Sequence, residues 1–268
     1  GGRWWGLLDL GILKEDGTHH KGMRPGAVCT HLVLDPESPV ESRVLYVTDY
    51  GYGVWKSQDG GRTWELKNEG LSSENLYCWR ITRLPSGRLI LLVARGGIEG
   101  REVNPGALYF SDDGADSWHP MPMPDGATAP NDLVYDPSRP DRMYLSCWPL
   151  FEEGRGMGGG LYRTDDGGSS WEQVFKENKH VYAAAVDPFD NDVIYIATFN
   201  SAAYRSADRG ENWSRLGGFN FKWGHRPVPD IHRPGQLYIT SFGGSVFHGP
   251  ADGVAGAFED IENLPPPE

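Results

Sequence analysis

Three acidic residues are the side chains of this sequence with the clearest catalytic potential. Asp49 ends one predicted β-strand, Asp132 lies near the start of another, and Glu152 lies in a loop between two strands. Hydrolysis of a glycosidic bond needs two carboxyl groups, one protonated to act as acid and one ionised to act as base or nucleophile. We therefore take all three as candidate catalytic carboxyls. Asp132 is the first choice, because two arginines and a histidine are expected beside it and would tune its pKa.

Side chains suited to binding a sugar recur at equivalent places in five similar segments. Polar or aromatic residues occupy two fixed positions where each segment begins, and their types differ from segment to segment. Such variation on one scaffold position favours a binding site, whereas identical residues would indicate architecture. Aromatic faces stack on the C–H faces of a sugar while nearby polar groups bond its hydroxyls. The candidate substrate-binding residues are His31, Tyr50, Trp79, Arg80, Arg95, Asn131, Trp148, Tyr182, Phe199, Trp223, His225 and Arg226.

The segments are defined by an eight-residue motif that occurs four times. Its first copy is SQDGGRTW at 57–64, and the shared pattern is Ser/Thr-x-Asp-x-Gly/Ala-x-Thr/Ser/Asn-Trp. Asp-Gly and Gly-Gly tolerate the positive φ of a tight hairpin, and the carboxylate can accept hydrogen bonds from amides of its own turn. Near-identical copies indicate that the aspartates are structural rather than catalytic. These aspartates are Asp59, Asp113, Asp166 and Asp208.

With these four copies the chain resembles the Asp-box (BNR) repeat proteins, which include sialidases, xyloglucanase-like glycoside hydrolases and the sortilin ectodomain. The resemblance implies a β-propeller in which each box closes the hairpin between the third and fourth strands of a blade. It also implies that function is to be sought on the face opposite the boxes. The Phe-Arg-Ile-Pro type of arginine motif that sialidases carry is absent from this sequence, so sialidase activity is not expected.

The spacing of the boxes predicts the strands around them. Their first residues lie at 57, 111, 164 and 206, and one further step ends at Gly249, where the motif has degenerated. Repeats of about 40 to 50 residues with four strands each are typical of a propeller. We predict an all-β β-propeller of about five four-stranded blades over residues 26–262, as a closed ring or as part of a larger one. Residues 1–25 are expected to add a strand and loop to another blade, and 263–268 to form a Pro-rich tail.

Composition limits the expected partners. The formal charge is −12, so nucleic acid is not expected to bind, and an anionic polymer would need a local basic patch. No apolar run approaches the roughly 20 residues of a membrane span. Three cysteines fit no metal spacing and the Gly-rich loops match no phosphate-binding pattern, so neither metal nor cofactor is expected. Because the first residues lack a signal-peptide pattern, we expect a piece of a longer, extracellular or periplasmic protein.

Two functional hypotheses follow. The first is a secreted bacterial protein that acts on or binds a polysaccharide or oligosaccharide in the manner of a glycoside hydrolase. The second is a non-catalytic propeller that binds a protein, a peptide or a surface polysaccharide, as sortilin binds peptides. The candidate residues also have two structural explanations, a water-bridged polar plug of the propeller channel and aromatic packing between blades. Paired carboxyls in a groove would favour the first hypothesis, and a flat aromatic surface without them the second.

Overall fold

The computed structural model describes residues 28–72, 76–94, 106–152, 155–176, 178–199, 202–219 and 221–255, without the side chains of residues 151, 152 and 155. The predicted N-terminal strand and loop and the predicted Pro-rich tail lie outside these ranges. The described residues form β-strands joined by turns, together with one 3₁₀ helix at Val40–Ser42. None of them belongs to a helix with the length and apolar character needed to cross a membrane. The predicted all-β class is confirmed.

The strands form four antiparallel sheets of four strands and one sheet in which three strands are described. The first sheet contains β1 (Cys29–Leu34), β2 (Leu45–Asp49), β3 (Gly53–Ser57) and β4 (Glu65–Leu66). The second contains β5 (Cys78–Arg83), β6 (Leu89–Val93), β7 (Ala107–Ser111) and β8 (His119–Met121).

The next six strands are β9 (Pro130–Asp136), β10 (Arg139–Cys147), β11 (Leu150–Glu152), β12 (Arg155–Met157), β13 (Gly160–Thr164) and β14 (Glu172–Phe175). Of these, β11 and β12 form a separate hairpin, and the other four form the third sheet. The fourth sheet contains β15 (His180–Val186), β16 (Ile194–Phe199), β17 (Ala203–Ser206) and β18 (Ser214–Arg215). The fifth contains β19 (Gly224–Pro229), β20 (Gln236–Ser241) and β21 (Val246–Pro250).

Strands within each of these five sheets follow one another in chain order, each paired with the next. Such meandering antiparallel sheets are consistent with the blades of a β-propeller. The number of blades and the closure of a ring remain predictions. One local expectation was wrong, because the segment that carries Glu152 is not a plain loop but contains the β11–β12 hairpin.

Apolar side chains pack between neighbouring sheets. Ile90 and Leu92 of β6, for example, share one cluster with Leu133 of β9 and with Met143 and Leu145 of β10. Leu89, Leu91 and Val93 of β6 face the first sheet instead. Because both faces of this strand are covered, its sequence is a continuous apolar run. The first strand of each sheet lies beside the first strand of the next sheet. The neighbouring pairs are β1 with β5, β5 with β9, β9 with β15, and β15 with β19. Their starting residues are thereby brought close to one another.

Each box aspartate closes its own turn. In the first box, Asp59 Oδ1 accepts the backbone N–H groups of Arg62 and Thr63, both at 2.9 Å, and Oδ2 accepts the Thr63 hydroxyl at 2.6 Å. Ser57 donates to Asp59 at 2.8 Å and accepts the N–H of Gly61. These bonds, the Thr63 hydroxyl above all, hold the pKa of Asp59 well below its usual range. The other three boxes repeat the carboxylate contacts.

The box tryptophans connect neighbouring sheets. In the second, third and fourth sheets the indole N–H donates to a main-chain carbonyl at the outer edge of the preceding sheet, at 2.8 to 3.0 Å. The pairs are Trp118 with Lys67, Trp171 with Pro122, and Trp213 with Val174. Trp64 of the first sheet donates to Gly61 of its own turn instead. Three box tryptophans thus add a hydrogen bond between sheets.

Candidate functional site

The starts of the first strands and the boxes lie at opposite ends of the sheets. In the third sheet, Pro130 at the start of β9 pairs with Cys147 at the end of β10, which pairs with Gly160 at the start of β13. The box begins at Thr164, at the far end of β13. The first sheet has the same arrangement. We call the end formed by the starts of β1, β5, β9, β15 and β19 the mouth.

A carboxylate held by two arginines lies at the mouth. Asp132 of β9 binds the Nε of Arg80 from β5 and an Nη of Arg226 from β19, and both nitrogens lie 3.3 Å from the same oxygen, Oδ1. The Asp132 side chain is only 3% exposed, compared with 14% for Arg80 and 31% for Arg226. Its second oxygen, Oδ2, is buried and has no hydrogen-bond partner among the described residues. Three predicted residues from three different sheets therefore meet here.

We call Asp132, Arg80 and Arg226 the Asp132 cluster. Two histidines flank it. His31 of β1 lies near the backbone N–H of Ile81, with 3.5 Å between Nδ1 and N, and burial, followed by the charge of Arg80, lowers its pKa to about 4. Burial and then Arg226 lower the pKa of His225, whose Nδ1 lies 3.2 Å from the Thr240 hydroxyl. Both imidazoles are therefore neutral near pH 7, and each ring can both donate and accept a hydrogen bond.

An open groove of about 360 Å³ adjoins the Asp132 cluster. Tyr50, Trp79, Asn131 and Trp148 line it, together with small apolar residues of the first three sheets. Tyr50 and Trp79 meet edge to face, with ring centroids 6.1 Å apart. Four predicted binding residues thus share one groove. Its aromatic walls and its neighbouring polar residues suit the two kinds of surface of a sugar ring.

Trp148 and the predicted aromatic residues outside the groove mostly pack against other rings. Trp148 lies flat on His180 with ring centroids 5.0 Å apart, and Phe199 lies flat on Trp223 at 5.9 Å. Tyr182 is buried and meets His225 edge to face at 4.7 Å. These contacts join side chains of neighbouring sheets, as the packing explanation expects. Tyr182 therefore offers less free ring surface than Tyr50, Trp79 and Trp148, which are half-buried.

Asp49 does not contact the Asp132 cluster. It shares one face of β2 with Val47, and its Oδ2 accepts the indole N–H of Trp55 at 3.4 Å. The hydroxyl of the intervening residue, Thr48, points the other way, to the Trp79 carbonyl of the second sheet. Asp49 is fully buried, and this burial raises its pKa, although Trp55 and the backbone of Val28 oppose the change.

Two predicted site residues fall outside the description. Arg95 lies in the undescribed range 95–105, and Glu152 has its backbone in β11 but an undescribed side chain. The described residues contain no group of three or more His, Cys, Asp or Glu side chains that could hold a metal ion. The described part of the site thus consists of the Asp132 cluster, the groove and the stacked rings.

His180, which we did not predict, also belongs to the mouth, as does Phe242, for which the register of the second strands predicts this end, four residues after Tyr238. His180 contacts Trp148 and Phe199, and Phe242 contacts Tyr182. A pattern in the sequence could have identified His180. It lies seven residues before Asp187 at the end of its strand, and Trp223 lies seven residues before the matching Asp230. The aromatic ring at this spacing marks the start of the strand.

No family model matches the chain. A xyloglucanase from Paenibacillus sp is 30% identical over 97 residues, which are 32% of this chain and 9% of that protein. A xyloglucanase from Acetivibrio thermocellus is 26% identical over 244 residues, which are 79% of this chain and 27% of that protein. The chain therefore spans about a quarter or less of the length of these relatives.

Solved structures give a matching result. An ancestral GH74 enzyme superposes with a TM-score of 0.63 at 20% identity, over 81% of this chain and 28% of that one. YCF48 bound to a D1 peptide superposes with a TM-score of 0.54 at 15% identity, over 82% of this chain and 68% of that one. These likenesses support a β-propeller fold. The curated relatives support the xyloglucanase-like part of the resemblance.

Proposed function

We propose that the mouth binds a plant-type polysaccharide or an oligosaccharide derived from it, as part of a glycoside-hydrolase-like propeller. The groove formed by Tyr50, Trp79, Asn131 and Trp148 is the observation that carries this proposal. It combines aromatic faces with an adjoining acid, two arginines and two neutral histidines. The xyloglucanase relatives agree with this class of ligand.

In this proposal the groove residues hold the sugar chain and the Asp132 cluster holds its polar groups. Tyr50, Trp79 and Trp148 stack on C–H faces, which excludes water from the bound rings. His31 and His225, both neutral, bond hydroxyl groups. The arginines orient Asp132, so its carboxylate keeps a constant direction.

Hydrolysis would require a second carboxyl group. Asp132 is the candidate base, which would take a proton from the attacking water, and a protonated acid would give a proton to the departing sugar oxygen. Asp49 has the raised pKa that an acid needs, but it makes no contact with the Asp132 cluster. Glu152 is the other candidate. We propose Asp132 as the first catalytic residue to test, with Asp49 and Glu152 as alternatives for the acid.

Affinity for a xyloglucan oligosaccharide tests the proposal. Trp79→Ala and Trp148→Ala should each weaken binding by about 1–3 kcal/mol, by analogy with other aromatic stacking contacts. Phe189→Ala is the matched control, because Phe189 is 53% exposed at the box end, in the turn between β15 and β16. Titration calorimetry measures all three. Equal affinities of the Trp variants and the parent, with all proteins folded, would contradict the proposal.

We further propose that the protein works outside the cytoplasm, where polymeric polysaccharides are found. Fractionation of the producing cells, followed by detection of the protein, tests this location. Recovery from the cytoplasmic fraction alone would contradict it.

A peptide or protein ligand is the alternative, in a propeller that is not an enzyme. The superposition with YCF48 bound to a D1 peptide favours it, because that likeness extends over 68% of the neighbour's chain. Screening a panel of polysaccharides for hydrolysis separates the two. Hydrolysis that Asp132→Asn abolishes supports an enzyme, whereas no hydrolysis together with peptide binding at the mouth supports the alternative.

A further inference from the structure

The Asp132 cluster carries more positive charge than its carboxylate neutralises. Arg80 and Arg226 both contact the same oxygen of Asp132. Neither guanidinium donates a hydrogen bond to any other described residue, and the Nε of Arg80 is buried without a hydrogen-bond partner. His31 and His225, which also face the cluster, are neutral near pH 7 because their pKa values are lowered. Among the described residues, one positive charge of the cluster therefore remains uncompensated.

Two guanidiniums with one shared acceptor form an incomplete site. Each guanidinium has five N–H donors in a fixed fork, and burial without acceptors is costly. A carboxylate matches this fork with two parallel hydrogen bonds. Arg226 is 31% exposed, so its outer edge can be reached from the mouth.

The groove connects this charge to a sugar ligand. Trp79 and Asn131 line the groove and directly precede Arg80 and Asp132, and each lies where the strand register shifts, so the usual alternation of side chains between opposite faces is broken there. A sugar ring stacked in the groove would thus have its substituents near the guanidiniums. The protein as a whole carries a formal charge of −12, so an anionic chain is repelled elsewhere and needs such a local positive site.

We propose that Arg226 and Arg80 bind the carboxylate of a uronic acid residue, so that the mouth prefers an acidic oligosaccharide to a neutral one. This inference rests on the proposed function, because the groove must hold the sugar chain that carries the acid. It adds a charge preference, which the aromatic groove alone would not produce.

The test compares two forms of one sugar by titration calorimetry. The probes are a xylo-oligosaccharide that bears one glucuronic acid and the same molecule with that carboxyl methyl-esterified, with a neutral xyloglucan oligosaccharide as a third ligand. The acid should bind the parent protein about tenfold more tightly than the ester. Arg226→Gln should remove this preference, and Arg226→Lys, which keeps the charge but not the fork, should retain part of it. Arg62→Gln, at the box end, should leave it unchanged.

The outcomes separate this inference from the proposed function. Equal affinity for acid and ester, with binding still dependent on Trp79, would overturn the charge preference and leave the carbohydrate site in place. A failure of all three sugars to bind would overturn both. Asp132→Asn gives an independent readout, because removal of the competing carboxylate should strengthen binding of the acid but not of the ester. A weaker acid preference in folded Asp132→Asn protein would argue against the inference.

Discussion

The box end and the mouth belong to the same sheets but use repetition in opposite ways. At the box end, each aspartate accepts the backbone N–H and the side chain of the residue four positions later in its own turn, a hydroxyl in three boxes and the Asn212 amide in the fourth. At the mouth, equivalent positions hold a histidine, two arginines and an aspartate, and Asp132 finds its partners in other sheets. Local and identical contacts stabilise each hairpin independently. Distant and different contacts create one asymmetric surface, which is what recognition of a ligand requires.

The carboxylates at the two ends also differ in how completely they are hydrogen-bonded. The box carboxylates have short hydrogen bonds on both oxygens, for example in Asp113. Asp132 has one oxygen shared between two arginines and one without a partner. A fully bonded group in the unbound protein favours stability, and an incompletely bonded one favours a ligand. Substitutions at one end should therefore leave the contacts at the other end unchanged.

The largest effect is expected from the tryptophans that connect the sheets. Trp118 is 1% exposed and bonds to the preceding sheet, so Trp118→Ala should lower the free energy of unfolding by about 3–5 kcal/mol. Chemical denaturation measures the loss. Trp118→Phe keeps one aromatic ring but removes the indole N–H and part of the bicyclic ring, so its smaller cost sets an upper limit on the contribution of the bond between sheets. A loss below 1 kcal/mol for Trp118→Ala would contradict the importance of this contact.

The second-largest effect is expected from substitution of Asp132 at the mouth. Asp132→Asn keeps an acceptor oxygen but removes the negative charge that faces the two guanidiniums, and it should destabilise the protein by about 1.5–3 kcal/mol. It should also abolish any hydrolysis, because an amide cannot act as base. Denaturation and a hydrolysis assay on the folded fraction measure the two consequences. A variant that is less stable but fully active would make the cluster a channel plug rather than a site.

A smaller loss is expected at the box end. Asp113→Ala removes the acceptor of one largely exposed turn and should cost about 1 kcal/mol at neutral pH, with unchanged ligand affinity. Its hydrogen bonds, that of Ser117 foremost, lower the pKa of Asp113. The stabilisation is therefore present above about pH 4 and is lost as the pH falls below it. Denaturation at pH 7 and pH 3 should show the parent and the variant converging in acid.

The smallest expected effect is an electrostatic change in the pKa of His31. Burial is the main reason that the pKa of His31 is about 4, and Arg80 is the second. Arg80→Gln should therefore raise this pKa toward 6.5 without reaching it, which corresponds to a fraction of the about 1.4 kcal/mol that one pKa unit represents. An NMR titration of the histidine ring measures the change. An unaltered value would mean that the two side chains are not close in solution.

Much of the fold could be predicted because its signals are local. The four boxes, the glycines and the hydroxyl residues lie within eight-residue windows, and the turn chemistry depends only on those residues. Strand positions follow from the same spacing, because the third strand of each blade runs directly into its box, as β13 does at Thr164. The β11–β12 hairpin was missed because its Gly-rich sequence lacks the alternation that marks a strand.

The sequence by itself determined the all-β class, the repeated hairpins and the residues that start each first strand. Only the tertiary structure decided which of those residues meet. Arg80, Asp132 and Arg226 come together because first strands from different sheets lie side by side, whereas Asp49 faces the opposite side of its own sheet. Strand register follows from neighbours in the chain, but contact across the mouth depends on how whole sheets pack. That packing also determines which aromatic rings line the groove and which stack on one another.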